Sequence, residues 1–315
     1  MKLAIIGAGG VGGYFGAKLL RAGHNVSFVA RGEHLHAMQE KGLHVKHPSL
    51  EFSEKVDALD MFSLMKRSPS SFDALILLTK SMQTALIAEQ LLAWFNATSS
   101  STYVISLQNG VENEAILSNF LPKEYIIGGL TRKIGAHVIQ AGVVEAVGIA
   151  ETILGTLVED ATAHAFVKNL CDAFNQAGIP TTLTPDIAQE LWKKLIINNG
   201  VNALCALLRV KTGILMHHSK LSSLVFGLMQ ETAKAARVLH VNITEEDVSA
   251  MFELIKGFDS IKPSMLVDLE HGRALEIEEI CGVVVRVLEH VGQDAPYTKT
   301  ISFLLEYTLE KTNEH

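Results

Sequence analysis

Cysteine, proline and aromatic residues are scarce in this sequence. Its 315 residues include 3 cysteines, 7 prolines and 6% aromatic residues. Cys171, Cys205 and Cys281 are odd in number, lie far apart and form no Cys-x-x-Cys pair. This spacing supports neither a disulfide framework nor a zinc site, and a reducing cytoplasm is the simplest compartment for such a chain.

Long apolar runs are also missing. The richest stretch, residues 191–208, is interrupted by two lysines and three asparagines, and no run approaches the roughly 20 residues that a membrane-spanning helix needs. Met1-Lys2 is followed by a very short apolar run and then glycines, without a cleavage-site pattern. We therefore expect neither a membrane association nor a signal peptide.

Positive charge is in the minority, and metal-ligand spacings are absent. The formal net charge is −7, which argues against a general nucleic-acid binder. Of the 13 histidines, His217 and His218 are adjacent, and His34 and His36 lie two apart on a predicted helix. We predict no metal site.

Apolar residues are abundant, at 48% against 19% charged residues, so a chain of this length can bury two cores. Residues 1–184 alternate strand and helix patterns, whereas residues 185–315 show helix patterns alone. The sequence therefore predicts an α/β fold: a Rossmann-type dinucleotide-binding domain over 1–184 and an all-α domain over 185–315, with the boundary near Thr184-Pro185.

The predicted elements follow the hydrophobic periods and the glycine and proline punctuation. Strands are predicted at 3–6, 25–29, 73–79, 102–107 and 179–183, and residues 124–155 are predicted to form several short, at least partly antiparallel strands with turns. Helices are predicted at 12–22, 83–95, 111–120, 161–177, 185–208, 220–240, 244–256, 264–270 and 276–291, with one more near the C-terminus.

A glycine-rich loop follows the first predicted strand. Gly7-Ala8-Gly9-Gly10-Val11-Gly12 fits G-x-G-x-x-G, with a strand before it, a helix after it and a second strand at the right distance. The pattern predicts a tight turn at Gly7, close approach of a pyrophosphate at Gly9 and helix–sheet packing at Gly12, with the helix N-terminus facing the phosphates. The alternative is an ordinary tight turn.

The end of the second strand discriminates between cofactors. Enzymes that use NAD usually carry an acid there to bind the ribose 2′-hydroxyl, but no acid lies between Gly23 and Gly32. Arg31 can instead pair with a 2′-phosphate, which favours NADP(H). The alternative is a solvated surface arginine. Glu33 lies one turn too late to take the role of the missing acid.

A polar stripe marks the first helix of the second half. Lys194, Asn198 and Asn202 are spaced i, i+4, i+8, so they share one face of an otherwise apolar helix. Such a stripe costs free energy unless it faces a polar cleft. The alternatives are a solvated helix face or amides that cap a neighbouring loop. Lys193 and Asn199 lie off this face and are interpreted as structural.

These residue types suit ketone reduction. A desolvated lysine can donate a proton to an emerging alkoxide, and amides can orient a substrate's hydroxyl or carboxylate groups.

With these residues in view, the chain resembles the 2-dehydropantoate 2-reductase (ketopantoate reductase) family over its full length. The resemblance rests on Gly7–Gly12 with Arg31, Leu77-Leu78-Thr79-Lys80, Gln108-Asn109-Gly110, Leu191-Trp192-Lys193-Lys194-Leu195 with Asn198 and Asn202, Pro263–Asp268, and Glu276 in Leu275-Glu276-Ile277-Glu278.

The resemblance implies a role for each matching position. Lys194 matches the proton donor, Asn198 and Asn202 match substrate-binding amides, and Ser264 matches a hydroxyl that binds the substrate carboxylate. Glu276 matches a carboxylate beside cofactor and active site. The remaining matches are to cofactor contacts: Lys80, Asn109, which also contacts substrate, and, more loosely, Ile134. The family's second domain is of the 6-phosphogluconate dehydrogenase C-terminal type.

Some alternatives stay open at this point. Ser264 could simply cap a helix, Glu276 could complement a helix dipole, and Lys80 could be a surface residue. The sequence also departs from the family where a further substrate-binding asparagine is expected. It has Lys211-Thr212-Gly213 there, with a shorter-reaching hydroxyl.

The resemblance implies an NADPH-dependent oxidoreductase that reduces 2-dehydropantoate to pantoate in pantothenate and coenzyme A biosynthesis. We expect NADPH at the carboxyl ends of the parallel strands, with the helical domain closing the other side of the cleft. Two rivals remain: an NAD(P)-dependent β-hydroxy-acid dehydrogenase acting on another small acid, and a non-catalytic NADP-binding sensor. Either a monomer or a homodimer fits the sequence.

Overall fold

The computed structural model describes residues 1–99, 102–257 and 261–313. Its strands are β1 (Lys2–Ile6), β2 (Asn25–Val29), β3 (Leu43–His47), β4 (Leu50–Glu54), β5 (Asp57–Leu59), β6 (Ala74–Leu77), β7 (Tyr103–Ser106), β8 (Ile126–Gln140), β9 (Val143–Thr156) and β10 (Thr181–Leu183).

The helices alternate with strands in the first half and follow one another in the second. They are α1 (Gly10–Arg21), α2 (Gly32–Lys41), α3 (Met61–Met65), α4 (Thr84–Thr98), α5 (Asn113–Ser118), α6 (Ala161–Gln176), α7 (Ile187–Leu208), α8 (Thr212–His217), α9 (Ser219–Val238), α10 (Glu245–Lys256), α11 (Ser264–Glu270), α12 (Val283–His290) and α13 (Pro296–Asn313). A π-helical turn over Glu278–Gly282 leads directly into α12.

The strands form one sheet in the order β4-β3-β9-β8-β7-β6-β1-β2-β5, with β10 beside β9. From β5 to β8 every neighbouring pair is parallel. On one side of β1 lie β2 and β5, which are separated in sequence by the β3–β4 hairpin at the far end of the sheet, and the chain then continues to β6 on the other side of β1. This reversal of direction places a topological switch point between β1 and β6, where open α/β sheets bind ligands at the carboxyl ends of their strands.

Residues 124–155 differ from their prediction. The expected several short strands are two long ones, β8 and β9, joined in an antiparallel hairpin, so that the antiparallel pairing is correct and the number of strands is wrong. The glycines that suggested turns serve inside the strands. Gly148 has φ 92° opposite Lys133 at φ 58°, where the register shifts by a β-bulge.

The chain divides into two compact units, one of residues 1–109 with 113–187 and the other of 110–112 with 188–315. In the first unit, alternate residues of β1 enter different cores. Leu3 and Ile5 pack in the cluster that contains residues of α1 and α6, whereas Ala4 and Ile6 pack in the cluster that contains residues of α4. Helices therefore cover both faces of the sheet, as in a Rossmann-type fold.

The second unit is helical and has its own core, with α7, α9 and α12 among its main contributors. Gly200 on α7 allows a close approach to α9, because a Cβ there would lie 2.8 Å from Met229 Cγ. A series of buried side-chain hydrogen bonds also crosses this core. Asn199 Nδ2 donates to Thr298 Oγ1 at 3.1 Å, and Thr298 Oγ1 donates to Glu231 Oε2 at 2.7 Å.

Three further observations concern the described ranges alone. Their helices include none that combines the length and the apolar character needed to span a bilayer. Their histidine, cysteine and acidic side chains form no group suited to holding a metal ion. Cys171, Cys205 and Cys281 are free and buried.

Candidate active site

The glycine-rich loop lies at the switch point, against the two residues that follow β6. Gly7 has φ 99°, and a Cβ there would lie 2.6 Å from the backbone nitrogen of Thr79. The backbone N–H groups of Gly7 and Ala8 both donate to the Val29 carbonyl, at 3.1 and 2.9 Å, which fixes the loop to the end of β2. Gly7 is therefore required both by conformation and by space.

The start of α1 has the features of an anion site. Its N-cap is Gly9, no side chain caps it, and its first turn contains no acid. A Cβ on Gly9 would meet no described atom within 4 Å, whereas one on Gly12 would lie 2.3 Å from the Gly7 carbonyl oxygen. The first N–H groups of a helix lack intrahelical partners. The N–H groups of Gly10, Val11 and Gly12 could therefore hold a dinucleotide pyrophosphate in front of Gly9.

Arg31 lies two residues beyond β2, as the N-cap of α2, and its side chain is exposed. Among the described residues its guanidinium has no hydrogen-bond or ion-pair partner. Glu33, in the first turn of α2, is exposed as well. The end of β2 therefore presents a cation, and the sequence places no carboxylate between the loop and Arg31.

Lys80 and Asn109 follow β6 and β7, which are neighbours in the sheet. The segments after these strands are connected, because Ser81 Oγ donates to the Asn109 carbonyl, which also accepts from Asn113 Nδ2 at 2.6 Å. Buried Thr84 donates to Asn113 Oδ1 at 2.8 Å and accepts from Gln108 Nε2 at 2.9 Å. A buried polar network thus joins Asn109 to the segment after β6, in which Thr79 lies against Gly7 and precedes Lys80.

Ile134 lies on β8, partly buried against the first unit's core. Two residues further, the Ala136 carbonyl oxygen would be 2.1 Å from a Cβ on Gly10, so β8 lies directly against the loop. The first unit therefore brings together the predicted cofactor residues Gly7, Ala8, Gly9, Gly10, Val11, Gly12, Arg31, Lys80, Asn109 and Ile134 along the carboxyl ends of β1, β2, β6 and β7 and the adjoining strand β8.

Sequence reasoning missed Glu114, a buried acid at the start of α5. Gly128 on β8 leaves room for this side chain, because a Cβ there would lie 3.3 Å from Glu114 Cγ. Burial raises the pKa of Glu114 to about 7. Hydrogen bonds with the Ser106 side chain and the Gly129 backbone oppose this rise in the pKa but do not cancel it. An acid in the first turn of a short helix was the only signal in the sequence.

The polar stripe lies on α7 in the second unit. Lys194 and Asn198 are half-buried and Asn202 is buried, so the stripe runs from the accessible part of the helix into the protein. Asn202 Nδ2 has no hydrogen-bond partner among the described residues. Because a buried amide donor without a partner costs free energy, Asn202 is suited to receive an acceptor atom from a ligand.

The two off-stripe residues have structural partners. Lys193 pairs with Glu190 and Asp247, at 3.8 and 3.5 Å. Fully buried Asn199 donates to Thr232 Oγ1 at 2.8 Å and to Thr298 Oγ1 at 3.1 Å. The face that carries Lys194, Asn198 and Asn202 is therefore distinct from the face that holds the helices together.

Ser264 and Glu276 belong to the same unit as α7. Ser264 is the first residue of α11 and is exposed, while the N-cap is Pro263 and has no side-chain cap. Ser264 is therefore not a capping residue in the usual sense. Glu276 is buried just before the π-helical turn, and its carbonyl accepts from Ile280 N–H at 3.2 Å. Such turns often occur at functional sites.

Thr212 stands where a further substrate-binding asparagine was expected. It is buried, and both its N–H and its hydroxyl donate to the Ile261 carbonyl, at 3.1 and 3.3 Å. The hydroxyl is thus engaged within the protein. Its contact fixes the segment that leads to Pro263 and Ser264.

Family models match most of this chain. The model described as "Ketopantoate reductase PanE/ApbA" matches residues 3–159, and that described as "Ketopantoate reductase PanE/ApbA C terminal" matches residues 186–307. Among curated proteins, the 2-dehydropantoate 2-reductase of Pyrococcus horikoshii is 31% identical over 317 residues, covering 100% of this chain and 98% of the relative.

Solved structures agree over nearly the whole length. A D-mandelate dehydrogenase with NADH and anilino(oxo)acetate superposes with a TM-score of 0.89 at 26% identity, covering 99% of both chains. The 2-dehydropantoate 2-reductase of Geobacter metallireducens superposes with a TM-score of 0.85 at 28% identity, covering 98% of this chain and 100% of the other. The two family models and the relative from Pyrococcus horikoshii together cover nearly the whole chain. The chain therefore belongs to the ketopantoate reductase family.

Proposed function

We propose that this protein is an NADPH-dependent oxidoreductase that reduces 2-dehydropantoate to pantoate, a step of pantothenate and coenzyme A biosynthesis. The observation that carries the proposal is that this chain, a member of the family, has two features together. The first is a phosphate-binding helix start with Arg31 nearby, and the second is a helix that presents Lys194, Asn198 and Asn202.

Residues 1–184 bind the cofactor, and residues 185–315 bind the substrate and donate the proton. In the first part, Gly7–Gly12 bind the pyrophosphate through backbone N–H groups and the helix dipole. Arg31 pairs with the 2′-phosphate, which distinguishes NADPH from NADH. Lys80, Asn109 and Ile134 complete the cofactor contacts, with Asn109 also touching substrate. Bound NADPH supplies the hydride for the ketone carbon.

In the second part, Asn198, Asn202 and Ser264 hold the keto acid by hydrogen bonds to its hydroxyl and carboxylate groups. Lys194 donates the proton that the developing alkoxide requires. Glu276 is a buried carboxylate that we assign to the cofactor and to the active site. The proposed partners are a small keto acid and the cofactor, in a cytoplasmic monomer or homodimer without metal, nucleic acid or membrane.

A second candidate is the reduction of a different 2-keto acid with either nicotinamide cofactor. The observation that favours it is Thr212, whose hydroxyl donates to Ile261 where the family is expected to offer an amide to substrate. The similarity to a D-mandelate dehydrogenase with NADH and anilino(oxo)acetate points to aryl-bearing acids as the class to test.

The test is loss of absorbance at 340 nm with NADPH or NADH and with 2-dehydropantoate, an aryl-bearing 2-keto acid or an unbranched one. The proposed function predicts the highest kcat/KM for 2-dehydropantoate with NADPH. A higher value for the aryl acid would establish the second candidate instead. Tight NADPH binding without turnover of any acid would make the protein a non-catalytic sensor.

A further inference from the structure

His34 connects three separate segments of the first unit. It lies on α2, half-buried, three residues after Arg31. Its Nε2 is 2.9 Å from the carbonyl oxygen of Ala8 in the glycine loop, and its Nδ1 accepts from the Gly142 N–H at 3.0 Å. Gly142 is in the turn between β8 and β9 and has φ 78°. One imidazole therefore joins the loop, the helix and the hairpin.

The two contacts define the state of the ring. Gly142 N–H can donate only to an unprotonated Nδ1, so a neutral ring carries its proton on Nε2 and donates it to Ala8. Burial lowers the pKa of His34, although the bond to the Ala8 carbonyl opposes this effect. The neutral ring with the proton on Nε2 thus satisfies both backbone groups at once.

The Ala8 carbonyl matters because it belongs to the proposed phosphate-binding loop. Ala8 is 1% exposed, and its N–H donates to the Val29 carbonyl. His34 supplies the hydrogen-bond donor for the carbonyl of this buried residue. Without a donor the carbonyl would have to turn toward water, and the following peptide units at Gly9 and Gly10 would turn with it. Gly10 has no room to move, because Ala136 of β8 lies against it.

We propose that His34 is a positioning residue for dinucleotide binding. It holds the Ala8 carbonyl on the far side of the loop and so keeps the N–H groups of Gly10–Gly12 aimed at the pyrophosphate. This role rests on the proposed function, because it assumes that the loop binds a dinucleotide. It differs from the role of Arg31 because the pyrophosphate is common to NADPH and NADH.

Substitution of His34 by glutamine or by asparagine distinguishes the two hydrogen bonds of the imidazole. The Nε2 of glutamine can take the position of the imidazole Nε2 and donate to Ala8, whereas the Oδ1 of asparagine can take that of Nδ1 and accept from Gly142. We expect His34→Ala and His34→Asn to raise the Kd of both NADPH and NADH about 10-fold, with kcat at saturating cofactor unchanged. His34→Gln should stay within about 3-fold of wild type.

The matched controls are His36→Ala and Arg31→Ala. His36 is exposed on the same helix and should leave both affinities unchanged. Arg31→Ala should weaken NADPH far more than NADH, whereas His34→Ala should weaken both equally. Melting temperatures show whether each variant is folded, and if His34→Ala is not, the comparison of His34→Gln with His34→Asn decides.

Affinities of His34→Ala within 2-fold of wild type would overturn the role of His34, as would a loss confined to NADPH or a failure of glutamine to restore binding. A wild-type protein that binds neither dinucleotide would overturn the proposed function itself, and this proposal with it. The two failures are therefore distinguished by the wild-type measurement.

Discussion

The two groups of residues assigned to cofactor and substrate are built from different parts of the chain. In the first unit the groups proposed to bind the pyrophosphate are backbone N–H groups at the start of α1, where a side chain would take up the space of the ligand. In the second unit the groups assigned to substrate are side chains, carried on α7 at positions 194, 198 and 202.

This difference decides what a substitution does. In the glycine loop, an added methyl group is expected to weaken cofactor binding, because it would fill the space in front of the N–H groups. On α7, removal of side-chain atoms is expected to impair the reaction, because the groups proposed to react with and orient the substrate belong to the side chains. A backbone site therefore tolerates few residue types, whereas a side-chain site can change its substrate by exchange of one residue.

The largest effect is expected for the proton donor. Lys194→Ala should lower kcat by a factor of roughly 100 or more, as expected for loss of a general acid. The control is Lys193→Ala, which removes only the pairs with Glu190 and Asp247 and should leave kcat within about 2-fold. Steady-state kinetics at saturating NADPH measures both. Near-wild-type turnover of Lys194→Ala would remove this residue from the mechanism.

The next effect tests the backbone site. Gly9→Ala should raise the Kd of NADPH by about 10-fold or more while leaving the melting temperature unchanged, because its methyl group fits the apo loop and obstructs the phosphates. Gly7→Ala should instead lower the stability, because its φ of 99° and the contact with Thr79 both oppose a side chain. Fluorescence titration and thermal denaturation separate the two. Equal NADPH affinity in Gly9→Ala and wild type would contradict the assignment.

A third comparison divides α7 itself. Asn202→Ala should raise KM for the keto acid about 10-fold with little loss of stability, because its Nδ2 has no partner in the described protein to lose. Asn199→Ala should do the reverse and cost about 1–3 kcal/mol of unfolding free energy, because Thr232 and Thr298 lose a buried partner. Urea denaturation and substrate titration test both. An unchanged KM in Asn202→Ala would favour a purely structural stripe.

The smallest effect concerns Glu114 and depends on pH. Burial raises its pKa to about 7 from 4.5, so its contribution to stability is fully present below pH 4.5 and is lost as the pH rises through 7. Wild type should therefore be less stable than Glu114→Gln at pH 8, by at most about 3 kcal/mol, and similar to it at pH 4.5. Exposed Glu124→Gln serves as the control. A constant difference between Glu114→Gln and wild type across this range would show that Glu114 titrates normally.

Much of the fold could be predicted because it depends on local patterns. The α/β half, the all-α half and the strand–loop–helix start were each visible as periodicity and punctuation, and the structure and the family confirm the fold class. Strands β3, β4 and β5 were not predicted, because they are short and mix apolar with polar residues; β4 and β5 form the two ends of the strand order, and β3 lies next to β4. The hairpin of β8 and β9 was predicted as several short strands, because glycines within a strand resemble turn residues in sequence.

The site was predictable only as far as its residues form local motifs. Gly7–Gly12 and the α7 stripe are such motifs, and the roles assigned to them stay predictions. The partners of the supporting residues lie far away in the sequence. His34 meets a turn 108 residues later, and Thr212 meets Ile261 49 residues later. No spacing rule connects such pairs, because only the folded chain brings them together.

The buried hydrogen bonds that connect Asn199, Thr298 and Glu231 make α13 important for the core of the helical unit. Glu231 also accepts the N–H groups of Tyr297 and Thr298, at 2.9 and 2.8 Å, and so caps the start of α13. A protein shortened before Pro296 would leave a buried carboxylate and a buried amide without these partners, and the amide lies on the helix that bears Lys194. The C-terminal helix is therefore a poor place for truncation or insertion, since shortening it would first lower the stability of the helical unit.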